Sequence, residues 1–364
     1  MWSKQLSCRL AALLLGLAVQ GAGTAGADQM LQELVTDRRC DNYVPVTQDQ
    51  LRLAEAAFVT VLQAPAAVAA DRAVDDWQEL GFRLRHFSVG NANWLLLHQT
   101  AGQCSGQGLY LVRKDAVPEL ALQVPHGYFD RYTDDIAAGL LQAPLRLIAL
   151  NTARRHYTRN GTTVDADLAH RDDNLFTALT RAFARVFPRG RLVQLHGFNP
   201  DKRTSAAGRS AAAIVSTGSI TPSVHSTAIT ACLQPLLGRP VCQFPHDIRE
   251  LGGTRNVQGR LLRGDGHSGF VHLELDRKTR EQLRVDDRHR NGFGSCLYDG
   301  IQLPCDGCIQ AYGWSGWHSG CWHPGCWPSP SLHSLPGWLF MAWSCTGITF
   351  YLSRIGLTVP SRTT

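Results

Sequence analysis

The sequence predicts an α/β fold, a mixed, largely parallel sheet flanked by helices, and two observations carry that expectation. Between residues 120 and 288, short strand-like apolar runs alternate with amphipathic segments of helical length, the pattern left by successive βαβ units. Within that span, Leu120 to Leu141 (LALQVPHGYFDRYTDDIAAGLL) reads as one complete unit. Leu120, Leu122 and Val124 alternate and stop at Pro125, as a strand does on leaving a sheet. Ile136, Ala137, Leu140 and Leu141 then take up helical spacing behind Thr133 or Asp134 as N-cap. His126 and Asp130 fall between strand and helix, at the strand's C-terminal end, where open α/β sheets place their chemistry.

Taken in order, the 364 residues begin with a segment that does not belong to the fold. Lys4 and Arg9 precede LAALLLGLAV, and Ala25-Gly26-Ala27 offers a small-residue cleavage site, so residues 1–27 read as a Sec-type signal peptide. The apolar run is short for a membrane span. A periplasmic or secreted protein follows, and with it an oxidising compartment that permits disulfides. Cys232 and Cys242 bracket a short loop and are the expected pair, with Cys40 and Cys104 joined by elimination.

Residues 28 to about 71 are polar-helical around LRLAEAAFVTVLQ, and strand-like runs follow at 81–87, 93–99 and 108–114. The glycines of TAGQCSGQG suit a hairpin and do not match a dinucleotide fingerprint. Further strands are expected at 145–150, 191–198, 211–216, 240–244 and 270–275, and helices at 174–187, 226–237 and 276–288. Beyond Leu297 the composition breaks: six of the nine Trp and five of the eleven Cys lie in 298–364, with neither helical nor strand period. A CxxC (Cys305, Cys308) points to a metal module and 335–352 to a marginal anchor, but Pro, Gly and Ser interrupt every run. Residues 298–364 are therefore read as an irregular Trp/Cys/Gly-rich tail, off-frame or disordered, leaving 28–297 as the α/β domain with no stable membrane anchor. A net charge of +6 with no basic stretch interleaved with aromatics gives no indication of nucleic-acid binding.

The residues that can carry chemistry sit at strand ends. His126 and Asp130 follow the first strand, His196 ends VQLHGF, and Glu274 lies in FVHLEL. Imidazole and carboxylate are the ligands of zinc, and a catalytic site keeps one position open for water, whose proton a nearby non-ligand Glu can take. His126, Asp130 and His196 are thus the expected ligands of Zn2+, and Glu274 the general base. Arg154 and Arg155, after the 145–150 strand, are candidates to clamp a substrate carboxylate, with Arg209 and Arg255 behind them. Asp167, His170, Asp172 and Asp173 read mainly as the acidic start of a helix, and His267 and His272 as flanking residues able to assist an oxyanion. A serine hydrolase would need G-x-S-x-G after a strand, and the nearest string, GHSGF (266–270), lacks the glycine spacing and precedes a strand. An exported protein that binds a ligand in the same cleft without turnover is the other alternative.

The segments QVPHGYFDRYT, LNTARRH, VQLHGF, ELGGTRNVQGRLL and FVHLELDRKTR resemble the N-formylglutamate amidohydrolase family, in the same order and over roughly residues 105–290. The resemblance implies a zinc hydrolase of carboxypeptidase-like α/β fold. It implies that His126, a nearby acid and His196 hold zinc, and that Glu274 is the base, with Arg277 matching the arginine that follows it. Asp130 stands four residues after His126, where carboxypeptidases use a tighter HxxE, so Asp134 is the substitute for the acidic ligand. The expectation is an exported zinc amidohydrolase acting on a small acidic amide or peptide, bound by Arg154, Arg155 and Arg277.

Overall fold

The computed structural model describes residues 42–298, apart from 64–65, 101 and 116, together with short strands between 310 and 348. The expectations for the signal peptide, for Cys40 and for the Cys305–Cys308 motif lie outside the described residues. Two helices, α1 (Gln48–Gln63) and α2 (Ala66–Glu79), lead into an antiparallel meander of β1 (Phe82–Val89), β2 (Ala92–Gln99) and β3 (Leu109–Arg113). Then come β4 (Leu120–Val124), the short α3 (Thr133–Ala138), β5 (Leu147–Leu150) and a separate hairpin of β6 (His156–Arg159) and β7 (Thr162–Asp165). The rest runs α4 (Leu175–Val186), β8 (Arg191–Phe198), α5 (Ala206–Ser210), β9 (Ala213–Ser216), α6 (Val224–Leu237), β10 (Val241–Gln243), α7 (Val257–Gly264), β11 (Phe270–Asp276), α8 (Arg277–Val285) and α9 (Asp287–Tyr298).

Nine strands form one mixed sheet in the order β1-β2-β3-β5-β4-β8-β11-β9-β10. Its centre, β5-β4-β8-β11, is parallel. The meander on one side and the β11–β9 pair on the other are antiparallel. The order reverses around β4, which sits between β5 and β8, and the C-terminal ends of β4, β8 and β11 therefore share one edge of the sheet. Period-two alternation splits the core into two layers. Leu122, Val193, Leu195, Val271 and Leu273 pack on one face with α3 and α6, and Leu192, Phe270 and Ala121 on the other with α1 and α4. The central strands β8, buried except at Gly197, and β11, buried throughout, place Gln194, His196, His272 and Glu274 at the alternate positions, on the second face.

Several elements differ from expectation for identifiable reasons. The single helix expected over 276–288 is two, because Asp286 ends the first in extended backbone and its carboxylate accepts from the His289 N–H of the second. The β6–β7 hairpin was signalled by Asn160-Gly161, both with positive φ, the residues a two-residue turn of that hand requires. The disulfide joins Cys232 to Cys296, tying α6 to α9, and the expected Cys232–Cys242 pair is absent. Alternation along β10 is the cause: Cys242 packs with Phe244 and Ile248 in a cluster on the opposite side of the sheet edge from Cys232, and is a buried free thiol. Cys104 is disulfide-bonded.

The chain divides into two compact units, Met1–Ile301 and Gln302–Thr364. In the second, β12 (Gln310–Gly313) pairs antiparallel with β13 (Gly316–Ser319) and β14 (Leu339–Met341), and β15 (Trp343–Ser344) with β16 (Gly347–Ile348). Among the described residues no helix is long and apolar enough to cross a membrane.

The turn after β8 is held by one carboxylate. Glu250 Oε1 accepts from the backbone N–H (2.9 Å) and hydroxyl (2.6 Å) of Ser205, and Oε2 from the Thr204 N–H at 3.2 Å. These bonds bring the Glu250 carboxyl down to about 2 from its ordinary 4.5. A depressed carboxyl stabilises the fold above its unfolded pKa, and that contribution is lost as pH falls toward the folded one. Glu250→Gln should therefore be less stable than the native chain at pH 7, and the gap should close between about pH 4.5 and 2. Urea midpoints across that range check it; a gap independent of pH would show that the charge does not hold the turn.

Candidate metal centre

Three strand ends build the site. After β4 the backbone turns at once, with the N–H groups of Phe129 and Asp130 both bonded to the His126 carbonyl at 2.8 Å, so the Asp130 side chain returns to the His126 ring. On the neighbouring parallel strands Glu274 is in register with His196, and His272 with Gln194. His126 Nδ1 and His196 Nδ1 lie 3.1 Å apart, and Asp130 Oδ2 stands 3.3 Å from the first and 3.6 Å from the second. All three side chains are buried.

Hydrogen bonds behind the rings decide which nitrogens carry protons. His126 Nε2 faces the Asp167 carboxylate at 2.8 Å, an acceptor only, so this nitrogen is the donor. His196 Nε2 faces Gln194 Oε1 at 2.8 Å, and the Gln194 amide is itself oriented from outside. Gln258 donates to the Leu168 carbonyl, which turns Gln258 Oε1 toward Gln194 Nε2. Thr180 donates to the Phe176 carbonyl and accepts from Gln123, which turns Gln123 Oε1 toward the same Gln194 Nε2. Gln194 Oε1 must then accept, from His196 Nε2 and from Asn256 Nδ2. Both imidazoles thus point an Nδ1 lone pair at one spot, beside a carboxylate oxygen.

Such a convergence needs a positive charge at its centre. Bonds of about 2.0–2.2 Å in a tetrahedral shell put neighbouring ligand atoms about 3.3–3.6 Å apart. The two separations to Asp130, 3.3 and 3.6 Å, match that range, and the 3.1 Å between the imidazoles falls just below it. Outer carboxylate and amide groups on the far ring nitrogens are the usual supports of metal-bound histidine. The residues therefore fit a divalent cation such as zinc. Without one, the nearest substitute is a proton on His126: burial disfavours it, but the bonds to Asp130 and Asp167 prevail and lift the ring to about 9. Burial keeps His196 neutral, down to about 4, and Asp130 stays ionised despite burial because both histidines face it.

Glu274 stands next to this cluster with Oε2 buried and without a hydrogen-bond partner among the described residues. Burial, and then the charge of Asp130, pushes its carboxyl up to about 8. His272 lies between them, its ring 4.5 Å from that of His196 and its Nε2 3.8 Å from Glu274 Oε1. Gly253, at φ +60°, lets the 251–256 loop close over the His272 ring, which a Cβ there would meet at 2.6 Å. Together these residues floor a cavity of about 750 Å3.

The remaining residues singled out from the sequence are distributed unevenly. Arg155 lines the cavity and pairs with Asp167 at 2.6 Å, while its Nε has no partner among the described residues. Arg277 is at the mouth, exposed and bonded to Glu281 at 2.8 Å. Arg154 is exposed and stands outside the cavity lining. Asp134 is buried but is not one of the residues that converge on the centre, where Asp130 is. His267 is tied to the Phe187 carbonyl at the other end of β11, and Ser268 is exposed there, away from the cavity. Asp167, read mainly as part of a helix start, instead bridges His126, His170 and Arg155; the helix begins later, capped by Asn174. Gln194 and Asn256 were missed, although a glutamine inside the apolar alternation of a buried strand was the available signal.

No protein-family model and no curated protein matches the chain. Among solved structures it is similar to an N-formylglutamate amidohydrolase from Ralstonia eutropha JMP134, at 11% identity over 53% of this chain and 98% of that one, with a TM-score of 0.39. It is also similar to an aspartoacylase family protein from Mesorhizobium loti MAFF303099, at 14% identity over 65% of this chain and 68% of that one, with a TM-score of 0.34.

Asp167→Asn keeps the shape but removes the charge that fixes the His126 tautomer. Losing such an outer partner typically weakens metal affinity about 10- to 100-fold. Chelator competition with zinc should show that loss, and unchanged affinity would exclude Asp167 as a support of the centre.

Proposed function

We propose that the chain is an exported, zinc-dependent hydrolase that cleaves an amide bond in a small acidic substrate, an acylated amino acid or a peptide. The observation that carries the reading is the convergence of two imidazole lone pairs and a carboxylate beside a buried, partnerless glutamate oxygen. The order of the five motifs along the chain supports the amide as the bond cleaved. The Cys232–Cys296 disulfide supports an oxidising compartment, as export implies.

His126, Asp130 and His196 would hold the zinc, which when bound supplies polarisation of the scissile carbonyl and activation of water near neutral pH. Glu274 takes the proton of the attacking water and returns it to the departing amine. Burial and the Asp130 charge raise the proton affinity of Glu274 above that of an ordinary carboxylate, which suits a group that must both gain and lose that proton. Arg155 and Arg203 each keep a buried Nε–H without a partner at the cavity wall, and hold a substrate carboxylate by paired hydrogen bonds. Leu251 to Asn256 and Phe198 to Arg203 wall the site and limit water around the reacting carbonyl. Glu274 lines the cavity, which favours turnover over binding alone, and the exposed Ser268 at the opposite sheet end disfavours a serine nucleophile.

Metal analysis of the purified full chain should find about one zinc per molecule, lost in His126→Ala and in His196→Ala. Retention of the metal in both variants would remove the proposed ligands. Glu274→Gln should bind zinc normally yet lose about a hundred- to ten-thousandfold in amide hydrolysis, the usual contribution of a proton-transfer group. Steady-state rates on N-acylated glutamate check this, and near-normal turnover would take Glu274 out of the mechanism.

A further inference from the structure

We infer that the natural substrate is an oligopeptide carrying several carboxylates, and that the cavity mouth is a cationic rim built to bind the acids beyond the scissile residue. This rests on the hydrolase reading above and narrows its substrate. Three observations lead to it.

The first is size. The cavity volume of about 750 Å3 equals that of a sphere about 11 Å across. A single acylated residue, about two extended units or roughly 7 Å, leaves part of that length unfilled, whereas three extended residues span about 10–11 Å. The second is charge. Besides Arg155 and Arg203 near the centre, the lining includes Arg131, Lys202, Arg255 and Arg277. Of the three carboxylates that line the cavity, Asp130 and Glu274 belong to the central cluster, which leaves Asp201 alone against the rim cations. The third is availability. All four rim side chains are exposed, and among the described residues Arg277 alone of the four has a carboxylate partner, Glu281. Arg131 lies over the Tyr132 ring, and Lys202 and Arg255 have no side-chain partner among the described residues. A protein usually mixes signs on its surface, and a cleft lined by one sign raises the local concentration of the opposite charge.

The rim comes from four separate segments. Arg131 follows the His126 turn, Lys202 lies in the turn after β8, Arg255 sits in the loop that covers His272, and Arg277 starts α8, next to the Glu274 strand. Each segment also carries or touches a residue of the centre, so the cations surround one entrance. The ordering has a consequence for the reaction. One carboxylate near Arg155 and Arg203 fixes the residue next to the scissile amide, and the rim holds the chain that leads out of the cavity.

The test is binding, with turnover measured separately. The full-length, zinc-loaded Glu274→Gln protein is titrated with N-acetyl-glutamate, N-acetyl-triglutamate and N-acetyl-trialanine at low and at high salt. Two or three exposed ion pairs at about 0.2–1 kcal/mol each amount to roughly tenfold. Triglutamate should therefore bind about tenfold more tightly than either comparison peptide. That advantage should shrink with salt, and shrink also in Lys202→Glu/Arg255→Glu. Triglutamate binding no more tightly than N-acetyl-glutamate, or trialanine matching it, would overturn the proposal. So would inorganic triphosphate binding at the rim more tightly than triglutamate, which would mark a phosphate site. Failure of native protein to hydrolyse any of these amides would count against the parent reading, and the binding series would still decide this one.

Discussion

Two nitrogen lone pairs directed at each other across 3.1 Å, on buried side chains, repel unless a cation or a proton stands between or beside them. Much of the centre of this structure follows from that constraint. The bonds that create it are not local: they run from His196 through Gln194 to Gln123, Gln258, Thr180 and the backbone of α4. This chain of buried amides has no other evident purpose, and each member is satisfied only while the others keep their orientation. A half-satisfied buried network is costly, so the fold gains rigidity where the ligands must be rigid. The apolar face of the same strands carries the packing, which frees the alternate positions for polar side chains.

The sheet explains why these residues meet. Parallel strands bring their C-terminal ends to one edge, and register aligns Glu274 with His196 on adjacent strands. β4 adds His126 and Asp130 from the other side of β8, at the point where the strand order reverses. No single stretch of chain could supply this arrangement, because an isolated strand sends successive side chains to opposite faces.

The alternation that produces the site was legible in the sequence, and so were the three strand ends. VQLH and VHLEL each show an apolar row with a polar row between, and His196 and Glu274 stand out because strands buried on both faces rarely carry such groups without use. The tertiary pairing of the site with residues distant in sequence was not legible. Asp167 lies in a segment rich in acids, where the dipole of a following helix is a sufficient local explanation, and only the fold brings it to His126. The disulfide was misread for a related reason. Sequence spacing measures proximity along the chain, whereas Cys242 faces away from Cys232 through the one-residue alternation of β10. The arginines expected to bind substrate divide similarly: Arg154 and Arg155 are neighbours in sequence, and the first is exposed outside the cavity while the second pairs with Asp167.

The charge of Glu274 links the centre to the cavity. Burial and the Asp130 carboxylate raise its proton affinity, while His126, Arg280 and Arg203 lower it. A divalent cation among His126, Asp130 and His196 acts in the lowering direction, since it offsets Asp130 and favours a neighbouring carboxylate. A substrate carboxylate at Arg203 acts the opposite way, because it neutralises a cation that had been favouring the ionised form. Metal and substrate thus shift the same group in opposite senses. In the proposed mechanism Glu274 is therefore ionised, and so free to take a proton, once the cation is in place, and its hold on that proton strengthens when an acidic substrate has bound. That sequence suits the proposed role of a base that later returns its proton, and it requires Arg203 to be near enough to Glu274 to matter yet free enough to bind. The partnerless Arg203 Nε and the Glu250 anchor that holds its turn in position provide both conditions.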